Sequence, residues 1–523
     1  LLRIAIALVI LLSARSAFAR TWSIAADGSG DALTIAAGLD SAAAHDSVVV
    51  ACGTYFEHDL TLKSAIILCS EGGDPDCVRI DAGGLGRALV ANDISLTKVE
   101  GITIAGGQGL PGTLNGGGGF HSEDSQLIIS NCVFTENTSP FGGGIGCYSS
   151  TLTLLECRFE GNSASAVEWA AGGGMFCKDS SPNLQDCIFT LNTAFSQDLP
   201  GDGGGIFSQS GYLHATDCTF TNNSSGAGGG GMYSFSVDQP VLTRCTFSNN
   251  HSGSGGGMYL ETSYAFLTDC HFNQNTAPTG GGMLIAKWSF PQFVQCTFDE
   301  NHADPLSGGA ISVWQSGPLI QECSFRENTA GLDGGALFVG GVGNPTLEDC
   351  LLVGNVAGGR GAAVRCYFAT GAHFLRSTIV QSECPGGAIF TELSGATTLD
   401  KTILSWGTSG AAVVCGDNSP VTLNCCDLYG NAGGDWTGCI ASQFGQAGNF
   451  SADPLFCDLL ENDFALEPGS PCAPEGSGSC GLVGAFPPGC SAVSVDDNIR
   501  LESWGRIKGF YRTESPARPP SSK

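Results

Sequence analysis

The sequence predicts an all-β fold, a right-handed single-stranded parallel β-helix with about three short strands per coil, and three observations predict it. One phrase recurs every 25 to 31 residues, the extremes being Cys132 to Cys157 and Cys187 to Cys218. Glycine supplies 77 of 523 residues while only 14% of side chains are charged, a balance that disfavours helices and favours many turns joining short strands. Within the phrase, apolar residues stand at strand spacing rather than helix spacing.

The phrase is an apolar residue, two variable residues, Cys, one variable residue, Phe, two variable residues and Asn. It reads Ile129, Cys132, Phe134, Asn137, then Leu154, Cys157, Phe159, Asn162, then Leu184, Cys187, Phe189, Asn192. Later cysteines are Cys218, Cys245, Cys270, Cys296, Cys323 and Cys350, each followed by an Asn, and degenerate copies fall at Ser377, Thr402 and Cys426. Cys and Phe stand two apart and so share one face of a strand, the inward one. The apolar residue three before Cys breaks that alternation and requires a bend between two strands. Asn breaks it again, and its tolerance of left-handed backbone places a corner there, with its amide free to bond the equivalent Asn of the next coil.

A third strand follows a glycine run, as at Gly142-Gly143-Gly144-Ile145, Gly172-Gly173-Gly174-Met175, Gly203-Gly204-Gly205-Ile206, Gly255-Gly256-Gly257-Met258 and Gly280-Gly281-Gly282-Met283. Three strands and three corners, stacked at about 4.8 Å per coil, give each backbone group a partner above and below.

The chain divides into a leader, 1–19, whose apolar run ends at Ala17-Phe18-Ala19; an N-terminal cap and first strand, 20–60; the β-helix, 61–490; and a basic tail, 491–523, read as disordered or as a sorting signal. The Ala-rich stretch from Thr34 to Ala44 is read as an amphipathic helix that closes one end of the core. The mature chain is expected to be a secreted or cell-surface, outer-membrane-associated monomer with no transmembrane segment. A formal charge of −28 argues against a nucleic-acid partner.

Twenty-four cysteines in a secreted chain first suggest a disulfide scaffold. Those of the repeat stack with parallel side chains, so they are read as reduced, buried small hydrophobes. Cys69 with Cys77, and Cys472, Cys480 and Cys490 near the far end, are the candidate bridges. No Cys-x-x-Cys or helical His pair suggests a metal, and no cofactor is expected.

The Gly308-Gly309-Ala310-Ile311, Gly334-Gly335-Ala336-Leu337 and Gly386-Gly387-Ala388-Ile389 segments, alternating with Phe-x-x-Asn, resemble the repeats of chlamydial polymorphic outer membrane proteins over residues 100 to 435. The start, Asp27-Gly28-Ser29-Gly30-Asp31 through Gly53-Thr54-Tyr55-Phe56-Glu57, is similar to the opening of pectin-lyase-like solenoids, and Asp453-Pro454-Leu455-Phe456 through Cys472 is similar to a closing segment of the same group. Enzymes of that superfamily cut acidic polysaccharides, with paired Asp or with Ca²⁺ and a base. Arg506-Ile507-Lys508 matches one polygalacturonase motif, but in the tail and without its companions, and Asp496-Asp497 also falls outside the coils.

The candidate binding residues are therefore aromatic. If Ile145, Met175, Ile206, Met232, Met258 and Met283 point inward, then Phe176, Phe207, Tyr233 and Tyr259 point outward, as do Tyr148, Phe235 and Trp314 two positions further on. They would form an exposed strip suited to sugar rings. Two coils carry longer loops, with Trp169 in one and Asp198 and Asp202 in the other, as candidate walls. The leading expectation is adhesion or carbohydrate binding without catalysis, through a polysaccharide or cell-surface partner. The alternatives are a polysaccharide lyase or glycoside hydrolase, in which Ca²⁺ would enter only as a lyase cofactor, and a passive spacer.

Overall fold

A computed structural model describes residues 19–109, 116–236, 239–368, 371–393, 395–459 and 461–490. Residues 1–18 of the expected leader and the whole expected tail, with Asp496-Asp497 and Arg506-Ile507-Lys508, lie outside the described residues.

The described chain is a parallel solenoid. Three sheets run its length, of 16, 14 and 15 strands, and within each the next strand in space is the one from the next coil. One coil illustrates the layout: Ile145–Tyr148 in the glycine-run sheet, Thr151–Leu155 in the second, Arg158–Glu160 in the third. Register is strict, with Phe159 over Phe134 and under Phe189, and Cys177 over Cys147. A fourth strand not anticipated from the repeat follows the Asn in some coils, as at Ser163–Ala166 and Thr193–Ser196.

The repeat forms the core. Phe134, Phe159, Phe189, Phe220, Phe247, Phe272, Phe298 and Phe325 are wholly buried in one continuous apolar column. Their neighbouring rings lie face to face at 4.4 to 5.0 Å. Asn137, Asn162, Asn192, Asn223, Asn250, Asn275, Asn301, Asn328 and Asn355 are equally buried. In the Asn ladder each Nδ2 donates to the Oδ1 of the next Asn, as from Asn192 to Asn223 at 3.0 Å. The corner expected at the Asn itself is corrected: the left-handed residue is the one before it, such as Glu136, Leu191, Asn222 and Asn249, at φ 54–56°. The bend falls there because the Asn must keep extended geometry to lend both amide ends to its ladder.

The stacked cysteines carry free, buried thiols, each donating to the carbonyl two residues back, as Cys270 does to Thr268 at 3.4 Å. Burial pushes the Cys350 and Cys426 thiols up to about 12. Of the free cysteines only Cys69 is not fully buried. A thiol reagent is therefore expected to titrate a single site in the folded protein and the remainder only in denaturant; rapid native modification of several would count against the dry column.

Four disulfides close the ends: Cys52–Cys77, Cys415–Cys439, Cys425–Cys480 and Cys457–Cys490. The expected pairings are corrected, since Cys69 and Cys472 are free thiols. Cys77 meets Cys52 because Gly53 pairs with Val78, which sets those two cysteines one above the other with Cα atoms 4.7 Å apart. Stacking thus does not by itself forbid a bridge; in the column the thiols are held by carbonyls and packing instead. Cys472 donates to Asp427 Oδ2 at 3.2 Å. At the other end, the helix Ile35–Ser41 buries Ile35, Gly38 and Leu39, and Thr34 caps it by accepting from the Ala37 N–H. Among the described residues no helix is long and apolar enough to cross a membrane.

Candidate functional site

The strand phase of the glycine-run sheet decides what faces outward. Ile145, Met175, Ile206, Met232, Met258 and Met283 are wholly buried in the main core. The residues after them point to the opposite face, and Phe176, Phe207, Tyr233 and Tyr259 lie in register across four coils. Phe176 stacks on Phe207 at 5.3 Å and Tyr233 on Tyr259 at 4.6 Å.

Outward, however, is not exposed, and the expected open strip is corrected. Phe176, Phe207, Tyr233 and Tyr148 are buried, at 3, 1, 7 and 9% exposure, in a second apolar cluster that shares no residue with the main core. Phe141, just before one glycine run, and Trp169, from the longer loop, lie over them; the indole sits edge-on to Phe207 at 5.6 Å and to Phe141 at 5.0 Å. What stays open is a cleft of about 570 Å³ at the edge of this layer. Its walls are Phe141, Tyr148, Trp169, Phe176 and Phe235, and its rim is Glu123, Ser149, Lys178, Asp179 and Gln209. The floor is held by Tyr148, whose hydroxyl accepts from the Gly116 N–H at 2.7 Å.

The structure therefore brings Tyr148, Trp169, Phe176 and Phe235 together, puts Phe207 and Tyr233 beneath them, and leaves Tyr259 partly exposed alongside. Trp314 lies in a different cleft, and Asp198 sits exposed in its loop, away from both. Sequence reasoning missed Phe141, Glu123, Lys178 and Gln209. The last three share the register row of Tyr148, so the repeat could have found them had polar residues been read in the same row.

Asp202 supports the cleft from behind. Its Oδ2 accepts from Trp169 Nε1 at 3.0 Å and so fixes the indole. Burial, reinforced by the negative charge of Glu261, pushes its carboxyl up to about 6 although the Trp169 bond opposes this. Glu261 goes the other way. Burial alone would raise it, but Lys287 at 2.5 Å and the Tyr233 hydroxyl at 2.6 Å hold it below its usual range.

The sign for stability follows. With a folded value near 6 against an unfolded value of about 3.9, native protein holds the Asp202 proton more tightly, so its contribution is greatest below about pH 4, falls as pH rises through 6 and is level above. Asp202→Asn, which keeps an acceptor for Trp169, is expected to be more stable than wild type at pH 7 by about 3 kcal/mol and equal to it below pH 4. Urea unfolding across pH 3.5–7.5 checks this, and a variant less stable at pH 7 refutes it.

No group of three or more His, Cys, Asp or Glu side chains placed to hold a metal occurs among the described residues.

Comparison with known proteins bears on the fold. The family model described as right-handed β-helix region matches residues 86–212 and 185–330. It describes the β-helix at large and does not single out the polymorphic outer membrane protein repeats. No curated protein sequence matches the chain. Among solved structures, a rhamnogalacturonan lyase aligns over 78% of this chain and 87% of its own at 11% identity, with a TM-score of 0.20. A PL6 family alginate lyase aligns over 75% and 87% at 7% identity, with a TM-score of 0.18. Repeat, register and family match agree on the fold: the described chain winds as a right-handed parallel β-helix.

Proposed function

We propose that this protein is a secreted or cell-surface β-helix that binds carbohydrate, without catalysis, in the cleft between Trp169, Phe176, Tyr148 and Phe235. The observation that carries this reading is the cleft itself: aromatic walls with a rim of hydrogen-bonding side chains, open enough for sugar rings. An apolar ring face stacks on the indole or phenyl, and Glu123, Lys178 and Gln209 bond the hydroxyls at its edge. The four disulfides favour an oxidising compartment and hence the extracellular placement.

Isothermal titration against a panel of soluble glycans tests it. A ligand identified there is expected to lose about thirty-fold in affinity in Trp169→Ala, the loss of one aromatic anchor of about 2 kcal/mol, with the fold retained by circular dichroism. Binding unchanged in that variant excludes the cleft.

A second reading, polysaccharide cleavage, draws on Asp202 and Glu261, two carboxyls whose surroundings push their proton affinities in opposite directions. Release of new reducing ends or of unsaturated products from the same panel would favour it over binding alone.

A further inference from the structure

Seven register steps beyond Phe176 on the same sheet face stands Arg365, roughly 34 Å away at about 4.8 Å per coil. Its side chain is 1% exposed, although it belongs to an outward-facing row. It is held from several sides: one terminal nitrogen donates to the Cys366 carbonyl at 2.8 Å, the other to Glu392 Oε2 at 2.5 Å, and Asp333 lies 3.5 Å from Nε. The guanidinium lies over the rings of Phe390 and Tyr367, at 4.7 and 5.2 Å. Arg360 stands five residues earlier in the same coil and donates to the same Glu392 oxygen at 2.6 Å, with its side chain 47% exposed.

Two arginines thus converge on one carboxylate oxygen at the wall of an open cleft of about 400 Å³. Trp314 and Tyr367 also line it, the indole 39% exposed and 5.3 Å from the Phe338 ring. On a chain with 22 basic against 50 acidic residues, this is a fixed, partly desolvated pair of cations beside aromatic surface. Arginine stacked on rings keeps its in-plane donors aimed at a carboxylate.

We propose that this second cleft is a binding site for a ring-borne carboxylate, with the acid group on Arg360 and Arg365 and the ring against Trp314 and Tyr367, and that Glu392 fills the carboxylate position until the ligand displaces it. Hexuronic acids and aromatic carboxylic acids share that chemistry. Because Glu392 competes from within the molecule, affinity for a free ligand is millimolar. The site stands apart from the Trp169 cleft and does not depend on carbohydrate binding there.

Saturation-transfer NMR of the whole chain with glucuronate, its methyl ester, benzoate and benzamide tests it. Transfer to glucuronate or benzoate, weakened about ten-fold or more in Arg360→Met and unchanged in Trp169→Ala, is expected; whichever acid responds identifies the source of the ring. Equal transfer to the uncharged ester or amide overturns the proposal. So does silence of both acids on wild type, including the case where Glu392→Gln alone binds them, because the arginines then serve only their internal ion pairs.

Discussion

Replacing Asn250 by alanine is expected to destabilise the folded protein by about 4 kcal/mol. The side chain is wholly buried and works in both directions along the stack. Its Oδ1 accepts from the Asn223 backbone N–H and Nδ2 at 3.0 and 3.1 Å, while its Nδ2 donates to the Phe220 carbonyl at 2.9 Å and to Asn275 Oδ1 at 3.0 Å. Truncation strands the Asn223 N–H and the Phe220 carbonyl in a dry core, each costing about 1–3 kcal/mol, and leaves a void beside Phe247. Asn275 Oδ1 keeps the Asn250 backbone donor, so the damage spreads towards the preceding coil rather than the following one. Asn273→Ala, two residues from the ladder and partly exposed, should cost less than about 0.5 kcal/mol. Equilibrium urea unfolding compares them, and a loss below about 1 kcal/mol for Asn250→Ala would mean that the ladder is ornamental.

Gly230→Ala should do comparable harm for a different reason. An alanine Cβ there would stand 2.4 Å from the Gly256 carbonyl oxygen and 2.6 Å from that of His251, both backbone atoms of the next coil. Neither can rotate away, so the two coils must separate and the parallel ladder on either side weakens; about 3 kcal/mol or more is expected, enough to reduce the yield of folded protein. Gly72→Ala is the control, since a Cβ there meets nothing within 4 Å and the change should be neutral or slightly stabilising. Thermal unfolding of the two variants side by side gives the answer, and equal melting temperatures would refute the close-approach account of the glycine runs.

Much of this architecture was legible before any coordinates. The interval between Cys245 and Cys270 placed them in adjacent coils, and the two-residue step from Cys to Phe placed both inside. The same alternation gave the outward row of Phe176, Phe207, Tyr233 and Tyr259. The site was legible only in part. Trp169, Tyr148, Phe176 and Phe235 were named, but that Trp169 covers its neighbours and that Asp202 pins it were not.

What the sequence determined by itself is the solenoid: its period, its strand phase and the identity of the side chains in its column. These follow from local rules, because alternation along a strand and recurrence along the chain fix direction and level without reference to anything distant. What only the tertiary structure decided is which outward groups meet solvent, which cysteines bridge, and that Arg360, Arg365 and Glu392 converge. Each depends on where a loop or terminal segment of one coil comes to rest against another, and that is set by packing between residues tens of positions apart, which no periodicity encodes.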